Sequence, residues 1–136
     1  MKNLLIIDDE EGIVRYYKKL LESEGYNVLV AQDAEEGIMQ IIKTRKIDLI
    51  LLDINMPEVD GGEMWDVIQE YNPDLNVLVF SVKPPGEQKK FIPFADDYFD
   101  KSQSVEILLQ KVSRILNSQA NMEEEGRGLS AKKSGT

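Results

Sequence analysis

The sequence predicts an α/β fold: a doubly wound, five-stranded parallel sheet of order 2-1-3-4-5 with helices on both faces. Three observations carry that prediction. Over roughly its first 117 residues the chain alternates short apolar runs with segments of helical periodicity. The runs are apolar throughout, which is the pattern of strands covered on both faces. Successive runs are about 25 residues apart, the length a crossover helix needs.

The elements follow in order. Leu4–Ile7 is the first strand. Ile13, Tyr17, Leu20 and Leu21 then share one helical face, and Gly25 is placed to close that helix. Val28–Ala31 is the second strand. Asp33 with Glu36 three residues on has capping-box spacing and opens a helix marked by Ile38, Ile41 and Ile42. Leu49–Leu52 is the third strand. Met64, Val67, Ile68 and Tyr71 mark the third helix, which stops before Pro73. After the fourth strand, Val77–Phe80, the pattern breaks. Pro84, Pro85 and Gly86, with Pro93 beyond, leave room for about two turns, so the fourth helix is expected to be short or irregular. Tyr98-Phe99 is a weaker fifth strand. Val105, Leu108, Leu109, Val112 and Leu116 mark the last helix, with Ser104 as its N-cap. Residues 1–118 are thus expected to form one domain and residues 119–136 a polar, disordered tail.

Composition excludes several chemistries. The 136 residues include no cysteine and no histidine. Disulfides, thiolate chemistry, the commonest general base and the commonest transition-metal ligand are therefore absent. Any metal site must be built from oxygen, which points to Mg²⁺ or Ca²⁺. A net charge of −9 argues against direct binding to nucleic acid. Lys89-Lys90 and Lys132-Lys133 read as solvated surface. No apolar run reaches the roughly eighteen residues of a membrane span, and no signal-peptide pattern opens the chain, so a cytoplasmic location is expected.

Chemistry concentrates at one sheet edge. Asp8 and Asp9 follow the first strand and Asp53 follows the third. In a sheet of this order those strands are neighbours at the switch point, where ligands bind outside the carboxyl ends. Converging carboxylates raise one another's pKa, and a divalent cation relieves them; Mg²⁺ suits such a site. Ser81 and Lys101 follow the fourth and fifth strands and add a hydroxyl and an ammonium. A carboxylate nucleophile, a metal, a lysine and a hydroxyl are the parts of a phosphoryl-transfer site. Any one aspartate after a strand is a common loop starter, and Asp8 or Asp9 could simply cap the helix beginning near Glu11. Five such residues on one edge are much harder to obtain by accident.

With those residues in view, the chain from about Lys2 to Asn117 resembles the receiver domain of two-component response regulators, a CheY-like, flavodoxin-like family. The resemblance rests on Ile7-Asp8-Asp9-Glu10, on Leu52-Asp53-Ile54-Asn55-Met56-Pro57 with Asp60-Gly61, on Ser81, and on Ala95-Asp96-Asp97-Tyr98-Phe99-Asp100-Lys101. It implies that Asp53 accepts a phosphoryl group from a sensor histidine kinase or phosphotransfer protein. It implies that Asp9 binds Mg²⁺ directly and Asp8 largely through water, with Asp53 and the backbone carbonyl of Asn55 as the other protein ligands. Lys101 and Ser81 would contact the phosphoryl oxygens, and Tyr98 would be a switch aromatic that turns inward. The protein would then be a signalling phosphoacceptor, not an enzyme acting on other substrates. Its output would be an unidentified downstream protein; a homodimer is left open.

Three departures from the family pattern stand out. Ser102 follows Lys101 where proline is usual, Val82 follows Ser81 where a small residue is usual, and Ser81 and Lys101 are only 20 positions apart. A degenerate receiver that binds a partner without phosphorylation is the alternative reading. A dehalogenase-type phosphatase is disfavoured because Asp8-Asp9-Glu10-Glu11 lacks its Asp-x-Asp pair, and a flavin protein because no phosphate loop follows the first strand.

Overall fold

The structure is a computed structural model that describes residues 1–44, 46–55 and 61–132, with the backbone alone for 119–132. Met56, Pro57 and Asp60, part of the motif after the third strand, lie outside the described residues.

Five strands form one parallel sheet: β1 (Asn3–Ile7), β2 (Asn27–Ala31), β3 (Leu49–Leu52), β4 (Val77–Ser81) and β5 (Asp97–Asp100), in the order β2-β1-β3-β4-β5. The predicted sheet and its order are both observed. Because successive side chains of a strand point to opposite faces, each apolar run supplies two cores. Leu5, Ile7, Ile50, Leu52, Val77 and Val79 meet α2 (Ala34–Lys43) and α3 (Gly61–Tyr71), joined by Ile92 just past α4 (Pro85–Phe91). Leu4, Ile6, Leu49, Leu51, Leu78, Phe80 and Phe99 meet the other: α1 (Glu11–Ser23) and α5 (Val105–Lys132). Every residue of β3 is fully covered, so each of its leucines and its isoleucine contributes about 1.5–3 kcal/mol by burial.

Local signals explain the helix ends. Asp33 accepts a hydrogen bond from Glu36 N–H at 2.7 Å, while the Glu36 carboxylate receives the N–H of Gln32 at 3.1 Å. Gly25 follows α1 with φ of 93°, a conformation costly for any side chain bearing a Cβ. Gly37 lets α2 approach β1: a Cβ there would lie 2.8 Å from Cδ1 of Ile7. α4 is seven residues long, with Pro85 in its first turn and Pro93 just past its end, as the proline spacing requires.

Of the apolar residues that mark α2 and α3, Ile42, Val67 and Tyr71 are 54%, 40% and 55% exposed. Each neighbours, at a rotation of about 100° per residue, a position that is buried or follows the last packed turn. α5 continues past residue 118 to Lys132. Leu116 is the last buried apolar side chain among the described residues of α5; beyond it, Gln119, Ala120, Met122 and Glu123-Glu124-Glu125 are residue types of good helix propensity. No helix among the described residues is long and apolar enough to cross a membrane.

Candidate functional site

Strand register builds the site. Ile7 pairs with Leu52, so β1 and β3 end side by side and release Asp8 and Asp53 together. The hydrogen-bond ladder runs one residue past each end: Asp8 N–H donates to Ala31 O and Asp53 N–H to Ile7 O, both at 3.0 Å. Their backbones are therefore held by the sheet itself. Asp8 and Asp53 are 0% and 1% exposed, whereas Asp9 faces solvent. One carboxylate oxygen from each of the three lies within 4.8 Å of the others.

The other half of the sheet brings the cation. Ser81 pairs with Asp100, and Lys101 N–H donates to Ser81 O at 2.8 Å. From there the Lys101 ammonium reaches Oδ2 of Asp8 at 2.8 Å and Oδ2 of Asp53 at 3.7 Å. It also sits 4.7 Å from the centre of the Phe80 ring. Burial pushes the Asp53 carboxyl up to about 7; Lys101 and the Asn55 N–H, 2.9 Å from Oδ1, pull it down, and the Asp8 charge adds to the rise. One ammonium does not balance three carboxylates. The site has the electrostatic form of a cation-binding pocket with an exposed mouth at Asp9.

The capping alternative for the aspartates does not hold for α1. Its N-cap is Glu10, with no side-chain capping bond, and Asp8 instead accepts Glu10 N–H at 3.0 Å.

A family model for the response regulator receiver domain matches residues 4–113. The chain belongs to that family. The receiver is 40% identical over 102 residues to the transcriptional regulatory protein YvrH of Bacillus subtilis, covering 73% of this chain and 42% of that one. Against the alkaline phosphatase synthesis regulatory protein PhoP of the same organism it is 35% identical, covering 85% and 48%. The chain thus spans about half the length of these curated relatives. Among solved structures, response regulator TrrA of Thermotoga maritima, in complex with Mg²⁺-BeF, is 30% identical with a TM-score of 0.78, covering 85% of this chain and 100% of that one. A CheY-like receiver domain protein of Methanospirillum hungatei is 30% identical with a TM-score of 0.81, covering 90% and 98%.

The other expected site residues stand on β4 and β5. Ser81 is fully buried, and its hydroxyl accepts Lys83 N–H at 3.2 Å. Tyr98 is turned inward, 6% exposed, donating its hydroxyl to Ile92 O and accepting Ala95 N–H at 3.2 Å. Ser102 stands where the family has proline, and it uses the N–H proline lacks: N–H and hydroxyl both donate to Oδ1 of Asp100 at 2.8 Å. All described peptide bonds are trans. Val82 is 59% exposed at the rim of a cavity of about 420 Å³, lined also by Tyr16, Tyr17 and Lys101.

Sequence reasoning missed two features. The nearest carboxylate to Lys101 is Asp8, not the nucleophile candidate Asp53; nothing in the spacing distinguishes them. Gln88, within the segment expected to hold a short or irregular helix, is fully buried in α4. A polar residue between Glu87 and Lys89 carries no signal of burial.

Proposed function

We propose that this receiver accepts a phosphoryl group on Asp53 from a phosphohistidine of a sensor kinase or phosphotransfer protein, in a Mg²⁺-dependent reaction. The single observation that carries this reading is the convergence of buried Asp53 with Asp8, Asp9 and the Lys101 ammonium. The oxygen-only donor set fits Mg²⁺, with Asp8, Asp9 and Asp53 as the residues that would hold it, joined by the Asn55 carbonyl in the family pattern. When bound, the ion supplies positive charge that ionises Asp53 and stabilises the transferring phosphoryl oxygens.

The chain's own residues do the rest. A carboxylate oxygen of Asp53 attacks phosphorus; the phosphorus–nitrogen bond breaks and its electron pair returns to the donor imidazole. The backbone N–H of Lys101 is fixed on Ser81 O, which keeps its ammonium, now on Oδ2 of Asp8, within reach of the charge transferred to Asp53. Ser81 would leave Lys83 N–H to donate its hydroxyl to a phosphoryl oxygen. Tyr98, already inward, would be retained by that movement, and the altered β4–α4 and β5 surface would be read by a downstream protein. The relative TrrA in complex with Mg²⁺-BeF supports the reading. The net charge of −9 leaves direct contact with DNA to other chains or segments.

Intact mass after incubation with acetyl phosphate and Mg²⁺ tests it. One added phosphoryl group, lost in Asp53→Ala and with a chelator, is the expected result. No adduct, together with no binding of beryllofluoride, would leave a phosphorylation-independent interaction module.

A further inference from the structure

Gln88 is the one fully buried amide of α4, and its position is unusual. Its Nε2 spends both hydrogens on backbone carbonyls: Lys83 O in the β4–α4 loop at 2.7 Å, and Phe99 O in β5 at 2.9 Å. The amide orientation is unambiguous, since turning it over would set Oε1 against two acceptors. Oε1 is consequently buried with no hydrogen-bond donor among the described residues. An unpaired buried carbonyl destabilises a fold, and an apolar side chain of the same shape would avoid that cost.

The residues it holds are the ones that flank the site. Lys83 lies two positions after Ser81, and Phe99 two before Lys101. Lys83 N–H is occupied by the Ser81 hydroxyl at 3.2 Å, while Lys83 C=O is occupied by Gln88. A side-chain amide can pair with both the N–H and the C=O of one residue, donating to one and accepting from the other. A hydroxyl that turns away from Lys83 therefore frees a donor on the very residue Gln88 already grips, whose amide has an acceptor to spare.

We infer that Gln88 is a positioning residue for the phosphorylated state: when Ser81 turns to the phosphoryl group, Lys83 N–H transfers to Gln88 Oε1. The inference rests on the phosphoacceptor reading of Asp53. It gives the orphaned carbonyl a partner in one state only, so Gln88 favours that state and couples the site to α4 and β5. No covalent bond changes; one hydrogen-bond donor exchanges acceptors.

The test uses the full chain with Mg²⁺ and beryllofluoride as the probe. Gln88→Met, near in shape and without polar atoms, should bind the probe about tenfold more weakly, one hydrogen bond's worth. In a Ser81→Ala background the loss should vanish, because Lys83 N–H then has no hydroxyl competitor in either state. Amide exchange of Lys83 in the wild-type chain should slow by at least about tenfold on loading. An equal loss in both backgrounds, or a Lys83 amide unmoved by loading, overturns the role of Gln88 and leaves Asp53 as acceptor. Should Gln88→Met not fold, the wild-type Lys83 amide decides alone. A wild-type chain that binds no beryllofluoride overturns the phosphoacceptor reading itself, and this inference with it.

Discussion

Two aspartates flank the same four-residue strand, and they are used in opposite ways. Asp48 precedes β3 and Asp53 follows it; they are 3% and 1% exposed. Asp48 accepts Asn3 N–H at 2.8 Å, with Lys2 and Lys46 at 3.9 and 3.7 Å. It ties β1 to β3 at the amino edge of the sheet, where basic side chains surround it. Asp53 stands at the carboxyl edge beside Asp8 and Asp9, where carboxylates outnumber the single Lys101. Burial is equal, so burial does not make the functional residue. The company does: Asp48, with one oxygen on Asn3 N–H and the other facing two lysines without a hydrogen bond, is a tie, and a carboxylate crowded by like charges is a site awaiting a cation.

The comparison breaks most sharply under mutation. Asp53→Ala should abolish the phosphoryl adduct seen by intact mass, whereas Asp48→Ala should retain it in full; loss in both would mean that the adduct reports only folding. Next in size, Lys101→Met should slow phosphorylation by acetyl phosphate about 10²-fold, as removal of one preorganised donor does. A rate within twofold of wild type would show that the ammonium serves Asp8 alone.

Titration should report on the carboxyl edge. The Asp53 carboxyl is raised from 3.8 to about 7 in the fold, so the folded chain binds that proton more tightly than the unfolded one. The sign follows: stability is fully present at low pH and falls as pH rises through that window, by on the order of 2–4 kcal/mol, with no further loss above it. Metal-free denaturation curves should show this slope in the wild type, and its absence in Asp53→Asn. Saturating Mg²⁺ should flatten it too, because the ion favours the ionised form. A wild type and Asp53→Asn that run parallel in pH would remove the electrostatic contrast.

At the amino edge the effect is on folding alone. Asp48→Ala leaves Asn3 N–H without its acceptor and should lower unfolding free energy by about 1–3 kcal/mol, read by urea denaturation. The smallest effect is expected at Val82, exposed beside the site. Val82→Ala should open access to Asp53 and raise the rates of phosphorylation, dephosphorylation or both by a few-fold. Unchanged rates would show that its methyl groups do not narrow the approach.

Much of this was legible in the residues. The uniform apolar runs required strands with two covered faces, and β3, buried at every position, is the clearest case. Asp8, Asp9, Asp53, Ser81 and Lys101 could be assigned to one edge because in a parallel sheet every strand ends at the same side. Pro84, Pro85 and Pro93 bounded α4 through backbone chemistry that no tertiary contact overrides. The helix running past Leu116 was not legible, because polar residues without periodicity suit a helix and a coil alike.

The sequence by itself determined the layers, the strand ends and which charges meet at the carboxyl edge, because periodicity and chain direction are local properties. Only the tertiary structure decided that Asp8 is buried and Asp9 exposed, that Lys101 lies nearer Asp8 than Asp53, and that Gln88 is sealed beneath α4 with half its amide unpaired. Those outcomes depend on strand register and on how closely each helix settles on the sheet. Such distances are set jointly by residues far apart in the chain, and no single stretch of sequence encodes them.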